Sequence, residues 1–503
     1  MADGQHDSAR QVIVRNASLP LPGSAGLRSV DILIQHGVIQ EISAPGLLVS
    51  ERALTIDASG QIVIPSLVNS HTHSHFALGR GYADLWTLEL HQNSGGGISY
   101  GALLEDLRIG AMLGAADMIR NGCTATYDMV LQSPVHSPKG MAAVAQGYED
   151  AGIRAVVAAA VADRSFWDSI SGLYDSLPQD AAAFVRSLQA TSSTQHLAAL
   201  EDIISNWHFD TKHIKFALAP SVPLLCSDDF LQRIALLATK HGVMVQTHLA
   251  ESKVQAVVAQ QRWGKSLTRY LADIGFLGAH VSAAHAIWLE QDDIDTLARH
   301  KVCIAHNPGS NMRLGNGIAP IVAMQRQGLN IGLGTDACSC SDQQNMMESM
   351  RLAAYSSRLT SPDPANWLSA ESAFQMATQG SAALLGFPTM GKLQVGYSAD
   401  LVFIDRNDLA YVPFNNFWNQ LVFSETGRSV QRVIANGRTI YENGQFLTFD
   451  YPQLLRQAQA AADRLADLGQ ERRAQLKALE PLVSQFCVGL AHAPHPVNRY
   501  IGS

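Results

Sequence analysis

Four positions in the chain carry side chains of the type that hold a transition metal: His71 and His73 in His71-Thr72-His73, His248 in Thr247-His248, and Asp336 in Gly334-Thr335-Asp336. Histidines two apart in an extended segment point to the same side, so His71 and His73 can hold one ion from a single strand end. Adding His248 and Asp336 makes three imidazoles and one carboxylate, a set that suits a borderline divalent ion and leaves a position for water. Each piece alone says little. A His-x-His pair is common by chance, and Asp336 alone reads better as the cap of a following helix than as a ligand. The weight lies in their combined placement, which depends on the elements that carry them.

Those elements alternate. Short apolar runs, read as strands over 62–69, 123–128, 154–161, 214–220, 243–248, 281–285, 302–306 and 330–336, are separated by segments of helical spacing such as 103–118 and 227–241. Eight strand–helix units over some 250 residues or more are the arithmetic of an α/β (β/α)8 TIM barrel, whose active site lies at the C-terminal ends of its strands. His71 and His73, His248, His285, His306 and Asp336 all fall at such ends. Residues 11–45 instead show β-branched runs separated by Gly, Pro and Ser turns, and the same texture returns at 399–404 and 430–434 with the turns Asn436-Gly437 and Asn443-Gly444. The expected organisation is a small discontinuous β-sandwich domain made by both chain ends (1–65 and 390–450), a barrel inserted between them (66–389), and a helical C-terminal tail (451–503), read as a surface helix and a tail.

The chain has 503 residues, 47% of them hydrophobic and 16% charged, with 36 Lys+Arg against 44 Asp+Glu for a formal charge of −8. This is a globular composition with ample material for a large core. The acidic balance and the lack of any basic cluster argue against nucleic acid or an anionic membrane as partner. The opening Met1–Ser8 is polar, and the most apolar run, 155–162, is far short of the roughly 20 residues a membrane span needs. Six cysteines without a framework of spacings read as reduced thiols. A cytoplasmic location is expected.

Beyond this reading, the stretches Pro65–His73, Thr247–Ser252, Ala284–Leu289, His306–Leu314 and Gly332–Asp336, with Gly391-Lys392-Leu393 and Gly396–Val402, resemble the amidohydrolase superfamily. They are most similar to its cytosine-deaminase-like, chlorohydrolase and aminohydrolase branch. The resemblance runs over essentially the whole chain and implies one divalent ion, zinc foremost with iron, cobalt or manganese also accommodated, on His71, His73, His248 and Asp336. It further implies Glu251 as proton shuttle, His285 as hydrogen-bond partner of the water or the developing oxyanion, and Asp336 as acceptor of the water's proton. The physical logic stands beside it: a divalent ion brings the pKa of bound water toward about 7, and a carboxyl at Glu251 could protonate a ring nitrogen and then the departing amine.

The expected activity is hydrolytic displacement of an amino or substituted-amino group from a small heterocyclic compound. An amide, urea, carbamate or carbon–halogen hydrolase with the same site is the alternative, and a non-catalytic assembly protein a second. His75, Trp86, His91, Ser221 and Asn311 are candidates for substrate contact, although His75 and His91 could equally be structural. His306 could support the site from behind. Lys215 sits at the beginning of its strand, away from the mouth, which discounts a binuclear centre, and Cys338-Ser339-Cys340 reads as small loop residues rather than a soft-metal site. Ser221 stands where nucleoside-directed members carry a histidine, Ser66 stands where glycine is usual, and Leu88–Gly97 departs from the usual tryptophan-bearing stretch. Adenosyl compounds are therefore expected to be poor substrates beside free bases or triazines. A homo-oligomer, a dimer or higher, is expected by resemblance and by the general frequency of such symmetry.

Overall fold

The computed structural model describes residues 11–188 and 190–501; the polar opening segment Met1–Ser8 lies outside them. Strands β1 (Val12–Pro20), β2 (Leu27–Gln35), β3 (Val38–Ser43), β4 (Leu54–Asp57) and β5 (Gln61–Pro65) come first. They are followed by the barrel strands β6 (Leu67–Thr72), β7 (Cys123–Val130), β8 (Arg154–Val161), β9 (Ile214–Pro220), β10 (Met244–Leu249), β11 (Val281–His285), β12 (Cys303–His306) and β13 (Ile331–Leu333). The chain then returns through β14 (Leu401–Asp405), β15 (Val430–Ala435), β16 (Arg438–Glu442) and β17 (Gln445–Phe446).

Strands β6 to β13 lie side by side in chain order, all parallel. The ring closes where the Asp336 amide donates to the His71 carbonyl at 2.9 Å. Buried on both faces, these strands read as continuous apolar runs. The period of two is visible only in where each side chain goes. In β8, Val156, Ala158 and Ala160 join Tyr127, Met129, Ala217, Ala284 and Ala305 inside the barrel, while Val157, Ala159 and Val161 pack outward with the helices. The predominance of alanine inside leaves room at the mouth for larger polar side chains.

The other nine strands form one sheet in the order β17-β16-β15-β14-β5-β1-β2-β3, with β4 against β1. The antiparallel pair of β5 with β14, from Pro65↔Leu401 to Gln61↔Asp405, joins the two chain ends. The sheet curls so that Val38 bridges Ser398 and a single core, including Val14, Ile32, Ile34, Ile39, Val63, Leu401 and Phe403, fills its inside. One boundary differs from the sequence reading. The run 62–69 is two strands in two sheets, broken at Ser66, whose amide bonds the Asp400 carbonyl at 2.9 Å and whose hydroxyl meets Thr124 Oγ1 at 2.7 Å. An unbroken apolar run has no periodicity with which to announce such a switch.

The C-terminal region also departs from a surface helix and tail. It makes two helices, Tyr451–Leu468 and Gln470–Ala491. The first packs Leu454 and Ala458 on Ile109, Met112 and Ala116. The second buries Leu479, Val483 and Cys487 among Leu90, Trp167, Ile170 and Leu173, above the barrel mouth. Asn93 and Ser94, in the loop after β6, bond Leu476 O at 3.1 Å and Glu480 Oε1 at 2.9 Å.

At the opposite end of the barrel, the guanidinium of Arg154 reaches both carboxylate oxygens of Asp400 at 2.7 and 2.8 Å, and Ser398 Oγ at 2.7 Å. Both residues are buried, and Asp400 immediately precedes β14, so the pair ties the barrel to the curled sheet. Breaking a buried pair leaves one charge uncompensated, which costs about 3–5 kcal/mol. Arg154→Ala is expected to lower the stability measured by urea denaturation by that amount; a loss below about 1 kcal/mol would show that the pair carries no weight.

Candidate active site

Two strand ends deliver the three imidazoles. His71 lies in β6, His73 just beyond it, and His248 near the end of β10. Each ring has its Nδ1 against a carbonyl oxygen: His71 on Gln246 Oε1 at 2.7 Å, His73 on Met129 O at 2.7 Å, and His248 on Ser221 O at 2.6 Å. Gln246 is itself fixed, since its amide nitrogen donates to Ser70 O and Ser282 Oγ, each at 3.1 Å. A carbonyl can only accept, so each Nδ1 carries the proton and each Nε2 presents a bare lone pair.

These lone pairs converge. His73 and His248 face each other Nε2 to Nε2 at 3.2 Å, and Asp336 Oδ1 lies 3.4 Å from His71 Nε2 and 3.3 Å from His73 Nε2. His71 Nε2 is buried with no hydrogen-bond partner. Two acceptors at that separation repel unless a cation lies between them. Ligands about 2.0–2.1 Å from one ion sit roughly 3.0–3.4 Å from each other, so the spacing fits a single divalent ion. Burial disfavours a proton on two of the rings: His73 is pushed down to about 3, and His248 also lies well below the usual histidine value, first by burial and then by the neighbouring rings.

Asp336 and Glu251 form the second half of the site, and their environments push them apart. Burial would raise Asp336, but the histidines around it, His71 first and then His285 and His73, hold it well below the ordinary carboxylate range. Glu251 is raised well above that range by burial, reinforced by Asp336 and Glu89. Between them stands His285, its Nε2 3.7 Å from Glu251 Oε1 and 3.7 Å from Asp336 Oδ2. Its Nδ1 faces Asn311 Oδ1 at 2.8 Å, and burial lowers it to about 4. His285 and Asp336 both adopt left-handed backbone, φ +69° and +64°, a conformation rare outside glycine and found where a side chain must be aimed.

The cavity above these groups holds about 290 Å³ and is lined by His73, His248, Glu251 and Asp336 together with His75, His91, Ser221 and the apolar Phe166, Val222 and Leu225. A larger cleft, about 980 Å³ beside Lys215 and Phe387, opens at the other end of the barrel and contains none of the converging histidines. Lys215 there bonds the carbonyls of Leu385 and Gly386.

Two candidates for substrate contact stand elsewhere. Asn311 is buried behind His285 and orients it, and Trp86 lies outside the cavity lining, its ring 6.0 Å from that of His91. His91 in turn has its Nε2 2.9 Å from Ser339 Oγ. His306 is buried, with no direct contact to the four converging groups among the hydrogen bonds of the described residues. Sequence reasoning missed Gln246 and Asn316. Gln246 precedes His248 by two on the same strand and could have been found by that spacing; Asn316, which donates to Glu251 Oε1 at 3.2 Å, sits in a loop with no such signal. It also missed Asn69, Thr335 and Gln344. Gln344 Oε1 accepts from Thr72 Oγ1 at 2.7 Å and from Thr335 Oγ1 at 2.6 Å, and its Nε2 bonds the Asp336 carbonyl at 2.7 Å, so this network fixes the carboxylate-bearing turn.

If the donors form one site, His71→Ala and Asp336→Ala should each strip the purified protein of most of its divalent ion, measured by plasma emission spectroscopy. Full occupancy in both variants would rule the arrangement out as a metal centre.

The sequence model of the amidohydrolase family matches residues 62–440. A 5'-deoxyadenosine deaminase of Methanosarcina barkeri is 33% identical over 468 residues, covering 90% of this chain and 98% of that protein. A 5-methylthioadenosine/S-adenosylhomocysteine deaminase of Thermococcus kodakarensis is 32% identical over 431 residues, covering 85% and 93%. Among solved structures, an adenosine deaminase of Xanthomonas campestris with bound zinc superposes with a TM-score of 0.79 at 25% identity, covering 92% of this chain and 99% of that one. The zinc complex of atrazine chlorohydrolase from Arthrobacter aurescens shares the fold, with TM-score 0.79, 24% identity and coverage of 90% and 100%. The names of the deaminase relatives run against the sequence-based expectation that adenosyl compounds are poor substrates. Fold, converging donors and matched length agree that the chain belongs to the amidohydrolase family.

Proposed function

We propose that this member of the family is a metal-dependent aminohydrolase that exchanges the amino group of a nitrogen heterocycle for hydroxyl, releasing ammonia, and that it favours an uncharged aminopurine nucleoside of the 5'-deoxyadenosine type. The observation that carries the reaction is the placing of two buried carboxyl groups on either side of His285, each 3.7 Å from its Nε2, with Glu251 pushed above the ordinary carboxylate range by burial and Asp336 held below it by the histidines. A divalent ion on His71, His73, His248 and Asp336, which we read as zinc, would supply hydroxide at neutral pH.

The chain's own groups supply the rest. Asp336 takes the proton of the attacking water. Glu251 gives its proton to the ring nitrogen, which draws electrons from the carbon under attack; now a carboxylate, it takes the proton of the newly added hydroxyl and passes it to the leaving amine, and the proton held by Asp336 then restores Glu251. His285, with its Nδ1 proton committed to Asn311, carries on Nε2 an acceptor that already meets the Asn307 amide nitrogen at 3.4 Å and lies 3.7 Å from Asp336 and Glu251, so it bounds the place of the water; donation to an oxyanion would require it to be protonated first.

The substrate reading rests on the relatives and on the cavity. Among the described residues no lysine or arginine lines it, so the zwitterionic end of S-adenosylhomocysteine would lie there without a counter-charge, whereas a 5'-deoxy or methylthio end suits Phe166, Val222 and Leu225. Ser221 is shorter than a histidine and reaches less far, and we read His75, His91 and Gln92, which line the same cavity, as the partners of the ribose hydroxyls. Six free cysteines support a reducing compartment, the cytoplasm, and symmetric self-association is proposed on general frequency.

Glu251→Gln keeps the shape of the side chain and removes its exchangeable proton, so the ion should remain while turnover falls about 10²-fold or more. An unimpaired rate would favour a reaction with a good leaving group, such as carbon–halogen hydrolysis. Ammonia release from 5'-deoxyadenosine, methylthioadenosine, S-adenosylhomocysteine, adenine and an aminotriazine tests the substrate. The first two should reach a kcat/KM of at least about 10⁴ M⁻¹s⁻¹, with S-adenosylhomocysteine roughly tenfold or more below. Faster turnover of adenine or the triazine would overturn the nucleoside assignment.

A further inference from the structure

Glu251 has a long side chain, and its carboxyl must be aimed if it is to meet both a ring nitrogen and a leaving amine. Its main-chain amide is taken up by Gln255 Oε1 at 2.9 Å, which fixes the backbone, while the carboxyl oxygen Oε1 accepts from Asn316 Nδ2 at 3.2 Å. Asn316 is buried and held twice by its own main chain: its amide donates to Asn311 O at 2.8 Å, and its carbonyl accepts from the indole of Trp288 at 2.8 Å. Since Asn311 also orients His285, the short segment from Asn311 to Asn316 aims both proton-handling groups.

What holds this segment and Trp288 is the far end of the chain. The Ile318 amide donates to the Arg499 carbonyl at 2.9 Å. Gly317, at φ +108°, allows that approach, because a Cβ there would lie 3.0 Å from the Arg499 carbonyl oxygen. The Arg499 guanidinium reaches back to Ile287 O at 3.1 Å and to Leu289 O, the carbonyls on either side of Trp288. The Trp288 ring meets Tyr500 edge-on, centroids 5.0 Å apart, and His495 at 5.7 Å. The indole is fully buried, although the residues covering it lie more than 190 positions away in sequence and beyond the last helix.

We infer that the terminal strap from His495 to Tyr500 belongs to the catalytic apparatus: clamping Trp288 and the 311–318 loop, it positions Asn316 and through it the carboxyl of Glu251. Arg499 and Asn316 are positioning residues: Asn316 acts through the Glu251 carboxyl that it hydrogen-bonds, and Arg499 through the segment that holds Asn316. The inference rests on the reading of Glu251 as the proton carrier. Displacement of a reacting group by about 1 Å can cost on the order of 10²-fold, so Asn316→Ala should lower kcat at least about tenfold and Arg499→Ala several-fold.

The test uses the full-length, metal-loaded protein with 5'-deoxyadenosine as probe, alongside crystal structures of both variants. Expected are a fall in kcat with KM within about threefold of the parent, full metal content, and no further loss when either substitution is added to Glu251→Gln, because coupled residues are non-additive. In the crystals the Glu251 carboxyl should be displaced while His71, His73 and His248 stay in place. Arg499→Ala, remote from the core, decides the matter if Asn316→Ala does not fold. An unmoved carboxyl, an unchanged kcat, or losses as large in the Glu251→Gln background as alone would overturn the positioning role. A Glu251→Gln protein with the parental rate would instead overturn the proton-carrier reading, and absence of any turnover of 5'-deoxyadenosine by the parent would overturn the substrate assignment, leaving the crystal structures to decide the positioning.

Discussion

Three imidazole lone pairs aimed at one point are the constraint on which the rest of the structure depends. Bare nitrogens 3.2 Å apart repel, and an imidazole left to itself would turn or take a proton to relieve the contact. The fold prevents both. Each Nδ1 is pinned to a carbonyl, two of them main-chain carbonyls at strand ends, and burial makes protonation costly. Outer partners of this kind fix tautomer and ring orientation in metal sites generally. The barrel makes the arrangement available by bringing β6 and β10 to opposite sides of one mouth, and the alanine-rich interior leaves the space.

From that centre the division of labour between carboxyl groups follows. Asp336 shares its surroundings with the histidines, which hold it well below the ordinary carboxylate range; Glu251, equally buried, is pushed well above that range by burial, Asp336 and Glu89, with the amide of Asn316 drawing it back. Environment, not residue type, separates the two groups to which the proposed mechanism gives the water's proton and the protonation of the heterocycle. The left-handed backbone at His285 and Asp336 shows that aiming has a conformational cost, of order 1–3 kcal/mol each, which a closely packed barrel can offset.

Much of this was legible in the sequence, for definable reasons. Fully buried parallel strands announce themselves as apolar runs, and polar residues at their ends stand out: His71, His248, His285 and Asp336 were each found this way. Main-chain partners leave no such mark. Nothing in the residue types at Met129 or Ser221 says that their carbonyls hold His73 and His248, and Ser221 was read as a lost side-chain contact when its carbonyl is what orients a ring. Contacts between distant segments were equally hidden. The switch between sheets at Ser66, the helix 470–491 over the mouth and the reach of Arg499 to the carbonyls around Trp288 depend on tertiary packing that no local period encodes.

The most direct test of the central claim is anomalous diffraction at the zinc edge from crystals of the zinc-loaded protein. One ion per chain is predicted, bound by the Nε2 atoms of His71, His73 and His248 at about 2.0–2.1 Å and by an oxygen of Asp336. An ion ligated through Nδ1, a second ion bridged to the first, or anomalous density away from these four residues would contradict the account.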